Sequence, residues 1–152
     1  MDFKKIISIA LIPIVALVVL GVINAVSGVV LNSGLLAIVG FVISVGIFAI
    51  SCLILAYSGY SATKKNKLDL LSAALVGGIA GFVSAVINGI IGLILMAAGL
   101  SAVASQIPTE TGATGTAVIV GIGIVVVLLG IGFWFVAGLV LGAIGGFVGQ
   151  RM

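Results

Sequence analysis

Four long apolar runs, separated by short polar breaks, account for almost the whole chain. Runs of about 20 or more apolar residues mark membrane-spanning helices. The pattern therefore predicts an all-α membrane protein, a bundle of four transmembrane helices over residues 6–31, 35–60, 69–104 and 116–149, forming a single domain. Asn32-Ser33-Gly34 is a turn signal that makes the first two spans a tight antiparallel hairpin. Residues 61–67 read as an inter-span loop, and residues 105–115, with Pro108, Gly112 and Gly115, as a second one. Tyr57 and Tyr60 close the second span at the headgroup depth that amphipathic rings prefer. Asp69 stands where the positive end of the third helix dipole begins. Pro13 lies inside the first span and is tolerated in a bundle when neighbours satisfy the freed carbonyl. The basic head before the first run also fits a signal peptide, but the run exceeds a signal core and lacks a small-x-small cleavage site. An uncleaved span is the expectation.

The third run has a finer pattern. Ala73, Gly77, Gly81, Ala85 and Gly89 recur at every fourth position, a row of small side chains on one helix face. The fourth run carries Gly138, Gly142 and Gly146, flanked by Gly145 and Gly149. Small-xxx-small rows let helix backbones approach closely in lipid, with right-handed crossing near −40°. These GxxxG ladders, of the glycine-zipper type, are expected to face each other, or to join subunits.

Composition narrows the functions. The chain is 63% hydrophobic and 6% charged, against about a quarter charged in soluble domains. Its 23 glycines do not signal disorder, which needs low hydrophobicity. The basic residues Lys4, Lys5, Lys64, Lys65, Lys67 and Arg151 all fall on one side of a four-span topology. The positive-inside rule then places both termini and the loop around residues 64–67 in the cytoplasm of a multi-pass cell-membrane protein. Three short basic clusters abutting spans are not a nucleic-acid-binding face. Cys52 reads as a small buried hydrophobe, since a single cysteine makes no disulfide framework or thiol metal site.

A repeat is visible inside the apolar text. Val22-Ile-Asn-Ala-Val-Ser-Gly28 matches Val86-Ile-Asn-Gly-Ile-Ile-Gly92, and the register pairs Gly21 with Ala85 and Pro13 with Gly77. The second and fourth spans match more weakly, through Gly40-Phe41 with Gly132-Phe133. The candidate repeat, residues 6–65 and 69–152, reads as a duplicated hairpin related by an axis along the membrane normal. It places Asn24 and Asn88 at one depth, roughly 27 Å along their helices. As an intramembrane polar pair they serve either as packing glue that fixes register or as a polar constriction on a solute path.

The third and fourth runs hold about 35 and 33 residues, roughly 50 Å of helix, too long for tilt alone to fit a ~30 Å core. They must break, with Gly99 and Gly130 or Gly132 as candidates, or project outward and be covered by a partner. Phe133-Trp134-Phe135 suits an outer aromatic belt or bulky packing opposite the glycines.

The stretch AYSGYSATKKNKLDLLSAALVGGIAGFVSAVINGIIGLI and the closing GLVLGAIGGFVGQRM resemble small glycine-rich polytopic membrane proteins of unknown function found widely in archaea. The resemblance covers roughly the second half of the chain. It implies a membrane protein without an assigned activity and supplies no site residues.

Catalysis needs acid–base pairs, nucleophiles or metal ligands held together. The chain has no histidine, and Asp2, Asp69 and Glu110 are split between membrane faces. Ser8, Ser27, Ser44, Ser51, Ser58 and Ser84 have no base beside them and are expected mostly to bond back to their own helices. No enzyme activity, cofactor or metal is expected, and no ion-coupled transport, which places ionisable groups inside the spans. Two readings remain. The first is a structural or assembly role through glycine-rich faces, with the bilayer, further copies or other membrane subunits as partners. The second is a passive channel or facilitator for a small solute, lined by Asn24 and Asn88.

Overall fold

The computed structural model describes residues 3–30, 35–104 and 109–152. Its elements are α1 (Phe3–Val30), α2 (Leu35–Lys64), α3 (Leu70–Ala104) and α4 (Thr109–Arg151). Each contains a stretch of 26 to 31 residues apolar enough to cross a membrane. In hydrocarbon every backbone donor must be satisfied within its own segment. That demand overrides the helix penalty of about 1 kcal/mol that a glycine carries in water. The protein is an all-α bundle of four membrane-spanning helices, and its outward residues, such as Ile12, Phe41, Leu53 and Leu129, are apolar as lipid requires.

α3 is the organising element: 44% of its most apolar window is buried, against 22% in α1, 11% in α2 and 6% in α4. It packs on all three other helices, whereas α1 and α4 make no contact among the described residues. The order around the bundle is thus α1, α2, α4, α3, with α2 and α3 touching across the middle. Parallel helices, α1 with α3 and α2 with α4, are neighbours. A two-fold axis along the membrane normal would copy the α2–α3 contact onto α4 and α1, where the described residues make none. The contacts among the described residues are thus not two-fold symmetric, and the two hairpins stand side by side.

Two boundaries differ clearly from the sequence expectation. α2 continues through Ser61-Ala62-Thr63 to Lys64, because Thr63 donates its hydroxyl back to Tyr60 O at 3.1 Å and Lys64 suits the negative helix end. Lys67, with φ 53°, then turns the chain in the left-handed region, and its amide and that of Leu68 close on Thr63 O and Ala62 O. α4 starts at Thr109, seven residues before the expected 116. The Pro108-Thr109-Glu110 text is a helix-start signal, and Gly112 and Gly115 do not interrupt the helix. The helices also run unbroken through Gly99, Gly130 and Gly132. With 35 and 43 residues, α3 and α4 are roughly 52 and 65 Å long, and neither folds back on itself. The Asn32-Ser33-Gly34 turn lies outside the described residues.

Candidate functional site

At the end holding the basic residues, the bundle is closed. Ile6, Ala10, Ala62, Ala73 and Val76 form one buried cluster, and Leu17, Leu55 and Ala80 form the next one inward. Glycines allow this closure, because a side chain on any of those at the seams would strike a neighbouring helix. A Cβ on Gly77 would lie 2.9 Å from Gly142 Cα and closer still to Gly138 O, and one on Gly142 would lie 2.8 Å from Ala73 O. Gly81 packs on the Trp134 carbonyl, and Gly146 on the Ala73 methyl. Ala73, Gly77, Gly81, Gly138, Gly142 and Gly146 are thereby brought together between α3 and α4. A second seam, between α2 and α4, was not anticipated as a contact: Gly59 packs on the Gly142 backbone, Gly145 on the Ala56 carbonyl and Gly149 on Thr63 and Tyr60.

Beyond Gly81 the helices part. A Cβ on Gly89 would meet only the Val127 side chain, at 2.6 Å, and Gly92 and Gly130 have nothing within 4 Å of that position. Here a cavity of about 550 Å³ opens between all four helices. Its polar lining is Asn24 of α1, Ser44 and Ser51 of α2, and Ser84 and Asn88 of α3; Leu17, Phe48, Ala85, Val127 and Trp134 contribute to the apolar part. Its lining contains no ionisable side chain.

Asn24 and Asn88 both line the cavity, but they do not bond to each other. Asn88 donates Nδ2–H to Leu17 O at 3.2 Å, and its carboxamide lies directly over Gly21, where any side chain would collide with it. Asn24 instead accepts from the Ser44 hydroxyl at 2.7 Å. The side-by-side packing explains the correction: Asn88 turns into the groove that Gly21 leaves on α1, and Asn24 turns toward α2. Asn88 Oδ1 is buried and has no hydrogen-bond partner among the described residues.

The serines divide. Ser51 donates to Ile47 O at 2.8 Å, Ser58 to Leu55 O at 2.7 Å and Ser84 to Gly81 O at 3.1 Å, each within its own helix. Ser44 is the exception. The Trp134 ring packs against Phe48 at 5.6 Å between centroids and lines the cavity. Phe135 meets Phe82 edge to face. Cys52 is half-buried.

The closed end gathers the basic residues. Lys5 donates to Asn66 O at 2.9 Å, tying α1 to the α2–α3 turn. Lys64, Lys65 and Arg151 lie over the rings of Tyr60, Tyr57 and Phe147. Lys4 and Lys67 are exposed. Asp69 caps α3: its carbonyl accepts from Ala73 N–H at 3.0 Å, and the Ser72 hydroxyl bonds its carboxylate. That hydroxyl holds the Asp69 pKa below its ordinary value.

Sequence reasoning missed Ser44, Ser51, Ser84 and Trp134 as cavity residues, and Gly21 as the seat of Asn88. The signal available was the spacing of Ser84 and Asn88, four apart and so on one helix face. No protein-family model, curated protein or solved structure matches this chain, so its function is read from this geometry alone.

Proposed function

We propose that this membrane bundle is a passive facilitator, seen closed at its basic end, that takes a small solute into the cavity between its four helices. The observation that carries the reading is the space itself, which all four helices line and which Asn24, Ser44, Ser51, Ser84 and Asn88 edge with polar groups. The cavity volume of about 550 Å³ falls within the ~300–1,000 Å³ of ligand pockets. The ladder glycines are used within the chain, so they lend no support to an outward interface. Passage to the basic side requires the floor of Leu17, Leu55, Ala80 and Trp134 to part. The basic cluster supports an orientation with both termini in the cytoplasm. Stopped-flow light scattering of proteoliposomes under gradients of glycerol and urea tests the reading. The expected result is faster solute entry than in empty liposomes; equal rates with fully helical protein refute it.

A structural or assembly role has one observation in its favour. α3 and α4 outrun a ~30 Å core at 35 and 43 residues, and a second copy of the chain would cover the projecting apolar arm. Cysteines placed at position 100 crosslink between copies in native membranes on this reading, and a strictly monomeric chain without crosslinks removes it.

A further inference from the structure

We infer that the outer face of α2 at the basic end binds one anionic phospholipid, with Lys64 and Lys65 holding its phosphate and Ile50 and Leu53 lying along its acyl chain. The inference is independent of the cavity reading, since none of these four residues lines that space.

The face is laid out along the helix. Ile50, Leu53, Tyr57, Tyr60 and Lys64 follow one another at intervals of three and four residues, which sets them in one stripe. Ile50, Leu53 and Tyr57 are 48%, 69% and 57% exposed, so the stripe looks outward. It runs from apolar side chains through two tyrosines to a lysine at the very end of the span Ile38–Lys64. A lipid bound there has the same order: acyl chain, interfacial region, phosphate.

Two rings place the ammonium groups. Lys64 Nζ lies 5.3 Å from the Tyr60 ring centroid and Lys65 Nζ 5.8 Å from that of Tyr57. The two rings are 6.1 Å apart. Lys65 also donates to the Tyr57 hydroxyl oxygen at 3.3 Å, which leaves the phenol proton to donate to an anion. Holding each ammonium over a ring removes beforehand part of the side-chain freedom that binding would otherwise have to remove.

Neither lysine is in an ion pair among the described residues. Asp69, the described acidic side chain of this end, is engaged by the Ser72 hydroxyl instead. Two adjacent unneutralised ammonium groups at the membrane edge complement a phosphate of net negative charge. A zwitterionic lipid would bring its own cation against them. The apolar stripe assigns the anion to a lipid, because free phosphate gains nothing from Ile50 and Leu53.

Native mass spectrometry of the full chain counts bound lipid directly. Detergent-solubilised protein is titrated with dioleoylphosphatidylglycerol or with dioleoylphosphatidylcholine. We expect one phosphatidylglycerol to saturate per chain, at a concentration at least tenfold below that needed for phosphatidylcholine. Lys64→Gln with Lys65→Gln should weaken phosphatidylglycerol by about thirtyfold, at roughly fivefold for each lysine near an anionic headgroup. Lys4→Gln with Lys67→Gln removes the same charge from the same end, at exposed residues without a ring contact among the described residues. That pair should change the affinity less than threefold. All four lysines' replacements are checked by circular dichroism, and the contrast between the two lipids in the wild-type chain depends on no variant. Equal affinity for both lipids, equal loss in the two double variants, or no saturable binding overturns the inference. Ammonium phosphate in hundredfold excess over lipid should leave the bound lipid in place. Its displacement would assign the site to free phosphate and overturn the lipid.

Discussion

Replacing Gly145 by alanine tests the seam that closes the basic end. The added methyl would lie 2.7 Å from the Ala56 carbonyl carbon, 3.0 Å from Tyr60 N and nearer still to Ala56 O. These are backbone atoms in mid-helix, so no rotamer change relieves the clash. Restoring ordinary contact moves α4 away from α2, and the Gly59–Gly142 and Gly149–Thr63 approaches open with it. Overpacking of this kind costs about 1–3 kcal/mol. The upper half of that range applies here, because dispersion is lost along the whole seam and no hydrophobic effect draws helices together in lipid. Gly132→Ala and Gly46→Ala are the controls: nothing lies within 4 Å of the added carbon at either position. Each should be neutral or stabilising by up to about 1 kcal/mol through helix propensity. Unfolding by SDS in mixed micelles, followed by circular dichroism, measures all three. If Gly145→Ala unfolds at the same SDS fraction as the controls, the close α2–α4 seam is wrong.

Gly21→Ala should expel the Asn88 carboxamide from α1 and destabilise by about 0.6–2 kcal/mol; a double-mutant cycle with Asn88→Ala should be non-additive, and strict additivity would break the contact. The Asp69 cap should show as a pH dependence. Its folded pKa lies below the ordinary aspartate value of 3.8, so the contribution is present above that value and is lost as pH falls through the folded pKa. Unfolding midpoints of the wild type should fall below about pH 4 more than those of Asp69→Asn, and parallel curves would refute the cap. With Cys52 replaced first, a cysteine at position 66 should label only from the cytoplasmic side and one at position 110 only from outside; the opposite pattern inverts the topology.

The four helices and the shared end of the basic residues could be read from sequence because lipid imposes them locally: length and apolarity decide a span before any packing. The α3–α4 ladder was legible for a similar reason, since Gly77, Gly81, Gly138 and Gly142 are small wherever their neighbours stand. The α2–α4 seam was not. Gly59 belongs to no ladder in its own helix, and only the side-by-side arrangement, set by all contacts at once, gives Gly145 and Gly149 to α2. Similar text at Asn24 and Asn88 faces different neighbours for the same reason, Ser44 in one case and Gly21 in the other. Hydroxyls and carboxamides that line a cavity look identical in sequence to those that bond to their own helices. The α2 and α4 boundaries were missed because polar residues and glycines were read as loops where helical hydrogen bonding continues.

Backbone-to-backbone contact at Gly77, Gly142 and Gly145 gives way to open space at Gly92 and Gly130, and that taper has a mechanical consequence. Close packing leaves little room for the helices to move at the basic end, whereas the space of about 550 Å³ lies where their backbones stand apart. Side chains around that space can change rotamer without meeting a neighbouring backbone, so the glycine-packed end acts as the fixed reference for the other.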